Sequence, residues 1–172
     1  MYQRILVPID GSTTSLLGLD EAVRLAKLTG AKLRIVHVVD ELKYVSGFET
    51  FASYSSDLIP LMEQAGEQVL QQGRERAAKA GVQAESVLFT SPAGRVSDFV
   101  VEQAKTWNAE LIVMGTHGRR GIGRALLGSD AEQILRVAPV PVLLVRVVQA
   151  AEANAARAAG AEPAPSRVAV EA

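Results

Sequence analysis

The chain has 172 residues, 48% of them apolar and 22% charged, the balance of an ordinary globular protein with room for one domain and a sizeable core. Lys and Arg number 18 against 19 Asp and Glu, so no electrostatic case exists for a nucleic acid or a membrane surface as partner. With no cysteine, disulfides, thiolate catalysis and cysteine-bound metals are excluded.

The N-terminus, MYQRILVPID, runs directly into an apolar strand pattern and lacks the layout of a signal peptide. No apolar run approaches the roughly 20 residues that cross a bilayer, so a cytoplasmic protein is expected. The first strand is RILVPI (4–9). Residues 13–29 follow as a helix with Leu16, Leu19, Val23 and Ala26 on one face; Ser12, Thr13, Thr14 and Ser15 read as helix-start residues, and Gly30 supplies the stop. KLRIVHVV (32–39) is the second strand. Residues 40–57, DELKYVSGFETFASYSSD, are expected to be a long connection, holding four of the seven Tyr and Phe residues. A connection of that length serves either as packing or as a lid or contact surface.

A second helix is expected over 57–80, with Leu58, Met62, Ala65 and Val69 on its apolar face. Gly66 and Gly73 interrupt it, each costing about 1 kcal/mol against Ala. ESVLF (85–89) is the third strand, and 93–107 a helix carrying Val96, Phe99, Val100 and Ala104. ELIVM (110–114) is the fourth strand. A helix over 124–138 presents Leu127, Ala131, Ile134, Leu135 and Ala138 and ends before Pro139. PVLLVRV (141–147) is the fifth strand. Residues 1–148 are read as the domain and 149–172 as an Ala-rich tail, flexible or with a short helix, without the large apolar residues of a core.

Each strand is a near-continuous apolar run, the pattern of strands buried on both faces. Their strict alternation with helices predicts a single open five-stranded parallel α/β sheet with helices on both faces. In such sheets ligands bind beyond the carboxyl ends of the strands, where strand order reverses. Two ends stand out: Pro8, Asp10 and Gly11 after the first strand, and GTHGRRGIGRALLGSD (115–130) after the fourth. Glycines after a strand let backbone N–H groups approach phosphate oxygens, and a helix starting there adds its own free N–H groups and dipole.

The glycine spacing is Gly115-x2-Gly118-x9-Gly128-Ser129. It lacks the Gly-Lys-Ser/Thr of a Walker loop, and Leu126 breaks a dinucleotide fingerprint beginning at Gly121. No second His follows His117-Gly118, no SGGxDS follows the first strand, and the acidic pair of a receiver domain is missing.

Over about residues 1–147 the sequence resembles the universal stress protein family, through ILVPIDGS, IVHVVDE and IVMGTHGRRGIGRALLGSDAEQILRVAPVPVLLV. Its glycine spacing is similar to that of the ATP-binding branch. The resemblance implies a Rossmann-like fold, adenine-nucleotide alpha hydrolase-like, that binds ATP and acts as a nucleotide-dependent switch through protein partners. It implies that Asp10 contacts the nucleoside end, with Pro8 shaping that turn, and that Val38 meets adenine through its backbone. Met114 and Gly115 would line the ribose and first phosphate. Gly118, Gly128, Ser129 and the N–H of Asp130 would hold the phosphate chain, with Mg or Mn carried mainly by the phosphates and water. It also implies a homodimer paired through the last strand (141–147).

Plainer readings stand beside these. Asp10 also fits a turn or helix cap. His117, Arg119 and Arg124 are candidate phosphate contacts or solvated loop residues, as is Arg120, and Gly121 and Gly123 fit a mobile loop. His37 reads as a packed, hydrogen-bonded core histidine and Trp107 as packing. An ATPase or phosphotransferase lacks a Walker lysine and metal carboxylates here, so at most slow hydrolysis is expected. A ligand-free dimeric interaction module is the remaining alternative.

Overall fold

The computed structural model describes residues 1–40, 51–91, 94–116 and 127–146. Their order is β1 (Arg4–Pro8), α1 (Thr13–Thr29), β2 (Lys32–Asp40), α2 (Phe51–Lys79), β3 (Ala84–Ser91), α3 (Val96–Thr106), β4 (Leu111–Gly115), α4 (Ser129–Val137) and β5 (Val142–Val145). The strands form one parallel sheet in the order β3-β2-β1-β4-β5, with helices on both faces. The expected α/β architecture is therefore present. The tail falls outside the described residues.

Side-chain alternation divides the core in two. Ile5, Val7, Leu33, Ile35, Leu111 and Val113 face α1 and α2, where Leu16, Leu19, Val23, Leu70 and Ala77 cover them. Leu6, Val36, Ile112 and Met114 face α3 and α4, against Val100, Ala104, Ala131 and Ile134. Each fully buried Leu or Ile contributes roughly 1.5–3 kcal/mol, so both layers hold the sheet.

The ends of α1 are built as its sequence suggests. The Ser12 hydroxyl accepts from the Ser15 N–H at 3.2 Å. At the other end Gly30 adopts φ 73° and its N–H returns to the Ala26 carbonyl at 2.8 Å.

The second helix departs from expectation. It begins at Phe51, so the connection expected over 40–57 is helical in its last part. Its buried stripe is Gly66, Leu70, Gly73 and Ala77, whereas Ala65 is exposed. Of the expected face, Val69 packs against the core from its margin and Met62 is half-buried, while the place expected of Ala65 is taken by Gly66. The last helix starts at Ser129, with Leu127 and Gly128 ahead of it, and Leu135 is 47% exposed rather than core. Among the described residues no helix is long and apolar enough to cross a membrane.

Candidate functional site

Strand order reverses between β1 and β4: β2 and β3 lie on one side of β1, and β5 lies beyond β4. The two strands are direct neighbours, pairing Ile5 with Leu111 and Leu6 with Ile112. The helix that follows β1 packs on one face of the sheet and the helix that follows β4 packs on the other, which is the arrangement at which open α/β sheets bind ligands in a crevice.

On the β1 side the chain turns sharply into α1. One Asp10 carboxylate oxygen accepts from the Ser12 N–H at 2.9 Å, and Gly11 between them has φ 81°. Position 11 thus needs a residue tolerant of the left-handed region. The Asp10 N–H donates to the Ser15 hydroxyl at 3.3 Å, and that hydroxyl donates to the Ser12 carbonyl at 2.9 Å. Asp10 is consequently held as a turn and helix-entry residue, its backbone and carboxylate both fixed in place.

On the β4 side, Thr116 closes the base of the glycine-rich segment. Its N–H donates to the Val145 carbonyl and its carbonyl accepts from the Gly128 N–H, both at 2.9 Å. The start of α4 is thereby pinned to the end of β4. Gly128 is the N-cap, with its carbonyl accepting from the Glu132 N–H at 2.8 Å. It has no side chain with which to cap, so the first turn of α4 begins at the crevice without a side-chain cap. Its φ of −61° and ψ of 146° are open to any residue.

The structure brings Pro8, Asp10, Met114, Gly115, Gly128, Ser129 and Asp130 to the carboxyl ends of β1 and β4, with Val38 near the end of the adjacent β2. Two of these differ in what they can offer. The Met114 side chain is buried in the core layer under α3 and α4, which leaves only its backbone to offer a ligand. The Gly128 N–H is committed to Thr116 and leaves donation to later residues of the turn. His117, Gly118, Arg119, Arg120, Gly121, Gly123 and Arg124 lie outside the described residues. Sequence reasoning passed over Thr116, which no spacing singled out. It also passed over Gly18, a glycine on an otherwise apolar helix face that packs on the end of β4.

The model of the Universal stress protein family matches residues 1–146. Universal stress protein MJ0531 of Methanocaldococcus jannaschii is 34% identical over 146 residues, covering 85% of this chain and 83% of that protein. Universal stress protein YxiE of Bacillus subtilis is 33% identical over 151 residues, covering 85% of this chain and all of its own. A universal stress protein solved in complex with cAMP superposes with a TM-score of 0.59 at 29% identity, covering 84% of this chain and 98% of the other.

Proposed function

The chain belongs to the universal stress protein family, and from that premise we propose that it binds an adenine nucleotide in the β1–β4 crevice as a stress-response switch. The observation that carries the reading is that the fixed Asp10 turn and the start of α4 follow the neighbouring strands β1 and β4, and that the N-cap of α4 is a glycine with no side chain in the capping position. A helix start of this kind attracts phosphate through its N–H groups and dipole. The relative bound to cAMP supports an adenine nucleotide as the ligand class.

In this reading ATP is the working ligand. Asp10, with Pro8 shaping its turn, meets the nucleoside, and the Val38 backbone meets the base. The Met114 backbone and Gly115 border the ribose and first phosphate. Gly118 and Gly128 leave space for the phosphates, while Ser129 and the N–H of Asp130 donate to them. His117, Arg119 and Arg124 are further phosphate contacts, and Mg or Mn is carried by the phosphates and water. The domain is residues 1–148, the protein is cytoplasmic, and it signals through protein partners rather than by turnover. Nucleotide shifts the populations of the segments flanking the crevice only through different affinity for their two states.

Calorimetric titration with ATP and Mg, followed by chromatography of the nucleotide, tests this. Saturable binding with ATP recovered intact is expected, and Gly118→Val abolishes it by filling phosphate space while the melting temperature holds. Unchanged binding by Gly118→Val would remove the phosphate-loop assignment. Steady conversion to ADP would instead identify an ATPase.

A further inference from the structure

His37 lies in β2, is buried, and its Nδ1 sits 2.7 Å from the carbonyl oxygen of Ile9, the residue immediately before Asp10. A carbonyl oxygen only accepts, so the ring carries its proton on Nδ1 and donates. The ring occupies space that α2 yields. A Cβ on Gly66 would stand 2.9 Å from the His37 Cδ2 and 2.7 Å from the Leu88 Cδ1.

The position of this bond in the β1–β2 ladder gives it a consequence. Even-numbered residues of β2 turn their backbone groups toward β1: the Lys32 N–H donates to the Gln3 carbonyl at 2.8 Å, and the Val36 carbonyl accepts from the Ile9 N–H at 2.9 Å. A regular parallel ladder continues with the N–H of Val38 donating to the Ile9 carbonyl. Among the described residues that rung is absent, and the His37 imidazole takes the Ile9 carbonyl instead. The Val38 N–H is left facing the edge where β1 has already turned away.

We infer that His37 is a positioning residue: by satisfying the Ile9 carbonyl with its side chain, it holds the Asp10 turn open and keeps the Val38 N–H available to a ligand base. This rests on the nucleotide reading for the identity of the ligand, but the hydrogen-bond exchange itself does not. His37→Phe keeps a planar aromatic ring, slightly larger than the imidazole, and removes the donor, which frees the Ile9 carbonyl to recapture the Val38 N–H. His37→Asn places an amide N–H near the Nδ1 position and restores the donor.

The test combines three readouts. Nitrogen-15 spectra of the histidine ring show the Nδ1–H tautomer, and an Nε2–H tautomer overturns the inference. Amide exchange at Val38 is slower in His37→Phe than in wild type, and unchanged exchange overturns it. In calorimetric titration with ATP and Mg, His37→Phe binds about tenfold or more weakly and His37→Asn recovers to within about threefold, the scale of one hydrogen bond. A folded His37→Phe protein with wild-type affinity overturns the inference. If the wild type itself takes no ATP, the nucleotide reading fails, and Val38 exchange alone decides the role of His37. If His37→Phe does not fold, the ring tautomer and Val38 exchange in His37→Asn carry the decision, with wild-type protection expected.

Discussion

A methyl group on Gly115 would lie 2.6 Å from the Thr14 carbonyl oxygen and 2.9 Å from the Ser15 nitrogen, both backbone atoms of the first turn of α1. One on Gly18 would lie 2.9 Å from the Gly115 nitrogen. These two glycines let α1 settle onto the end of β4. Gly128 sits in the same motif for another reason. Its backbone angles suit any residue and its N–H is already bonded, so its missing side chain is what a phosphate would use. The two positions therefore predict opposite outcomes for one mutation. Gly115→Ala destabilises the fold by about 1–3 kcal/mol, as overpacking against backbone does, read as a lower midpoint in denaturant. Gly128→Ala leaves that midpoint within about 0.5 kcal/mol of wild type and weakens ATP binding. A lowered midpoint in Gly128→Ala with intact affinity would make that glycine a packing residue as well.

At the scale of the element, α2 holds the clearest gap between sequence and structure. The central strands β1 and β4 were legible because a strand buried on both faces must be apolar throughout, and RILVPI or ELIVM admits little else. The ends of α1 were legible because Ser12 and Gly30 are local signals, one acting through its hydroxyl and the other through its backbone. In α2 the glycines misled, because propensity treats Gly66 and Gly73 as weak points, whereas tertiary packing uses them as the contact surface. A Cβ on Gly73 would stand 3.0 Å from the Ile9 Cδ1 and 3.2 Å from the Ile35 Cδ1. Reading the glycines as interruptions placed Ala65 on the apolar face instead of Gly66, while Val69 does pack at the margin of the core. The aromatic and serine content of 51–56 likewise hid the start of the helix. The expected result follows directly: Gly66→Ala gains up to about 1 kcal/mol of helix propensity yet lowers the melting temperature, since the new methyl meets Leu88 and His37. A raised melting temperature would mean that α2 sits further from the sheet than the structure places it. The crevice was legible as two chain ends and His37 as a packed, hydrogen-bonded core histidine, but the partner of His37 and the Thr116 closure were not. The His37–Ile9 bond and the Thr116 closure depend on residues far apart in sequence meeting across strands.

For the whole molecule, the open question is what becomes of the β5 edge. Among the described residues β5 is paired on one side only, to β4, and Leu143 within it is 36% exposed. Leu135 and Val137, at the end of the preceding helix, are 47% and 54% exposed. An unpaired strand with exposed apolar residues is a template for association. Val142–Val145 contains no Pro, Lys or bulge to discourage it. A second copy related by a twofold axis can use the same strand and the same three side chains on both sides, so the contact closes at a dimer instead of propagating. We therefore expect the wild type to scatter light at about twice the monomer mass. Leu143→Lys should shift it to the monomer, by placing two charges opposite each other at the centre of the contact. The substitution removes little from the core, so the variant should remain folded, with a circular dichroism spectrum like that of wild type. A Leu143→Lys protein that stays dimeric would move the interface away from β5, and a wild type that is monomeric at micromolar concentration would remove the dimer altogether. The measurement also bears on the crevice. Thr116, which pins the start of α4, donates its N–H to Val145 in β5. If nucleotide binding tightens the dimer, that strand is the mechanical link between ligand and partner copy, and the monomeric variant should bind ATP more weakly by the same factor.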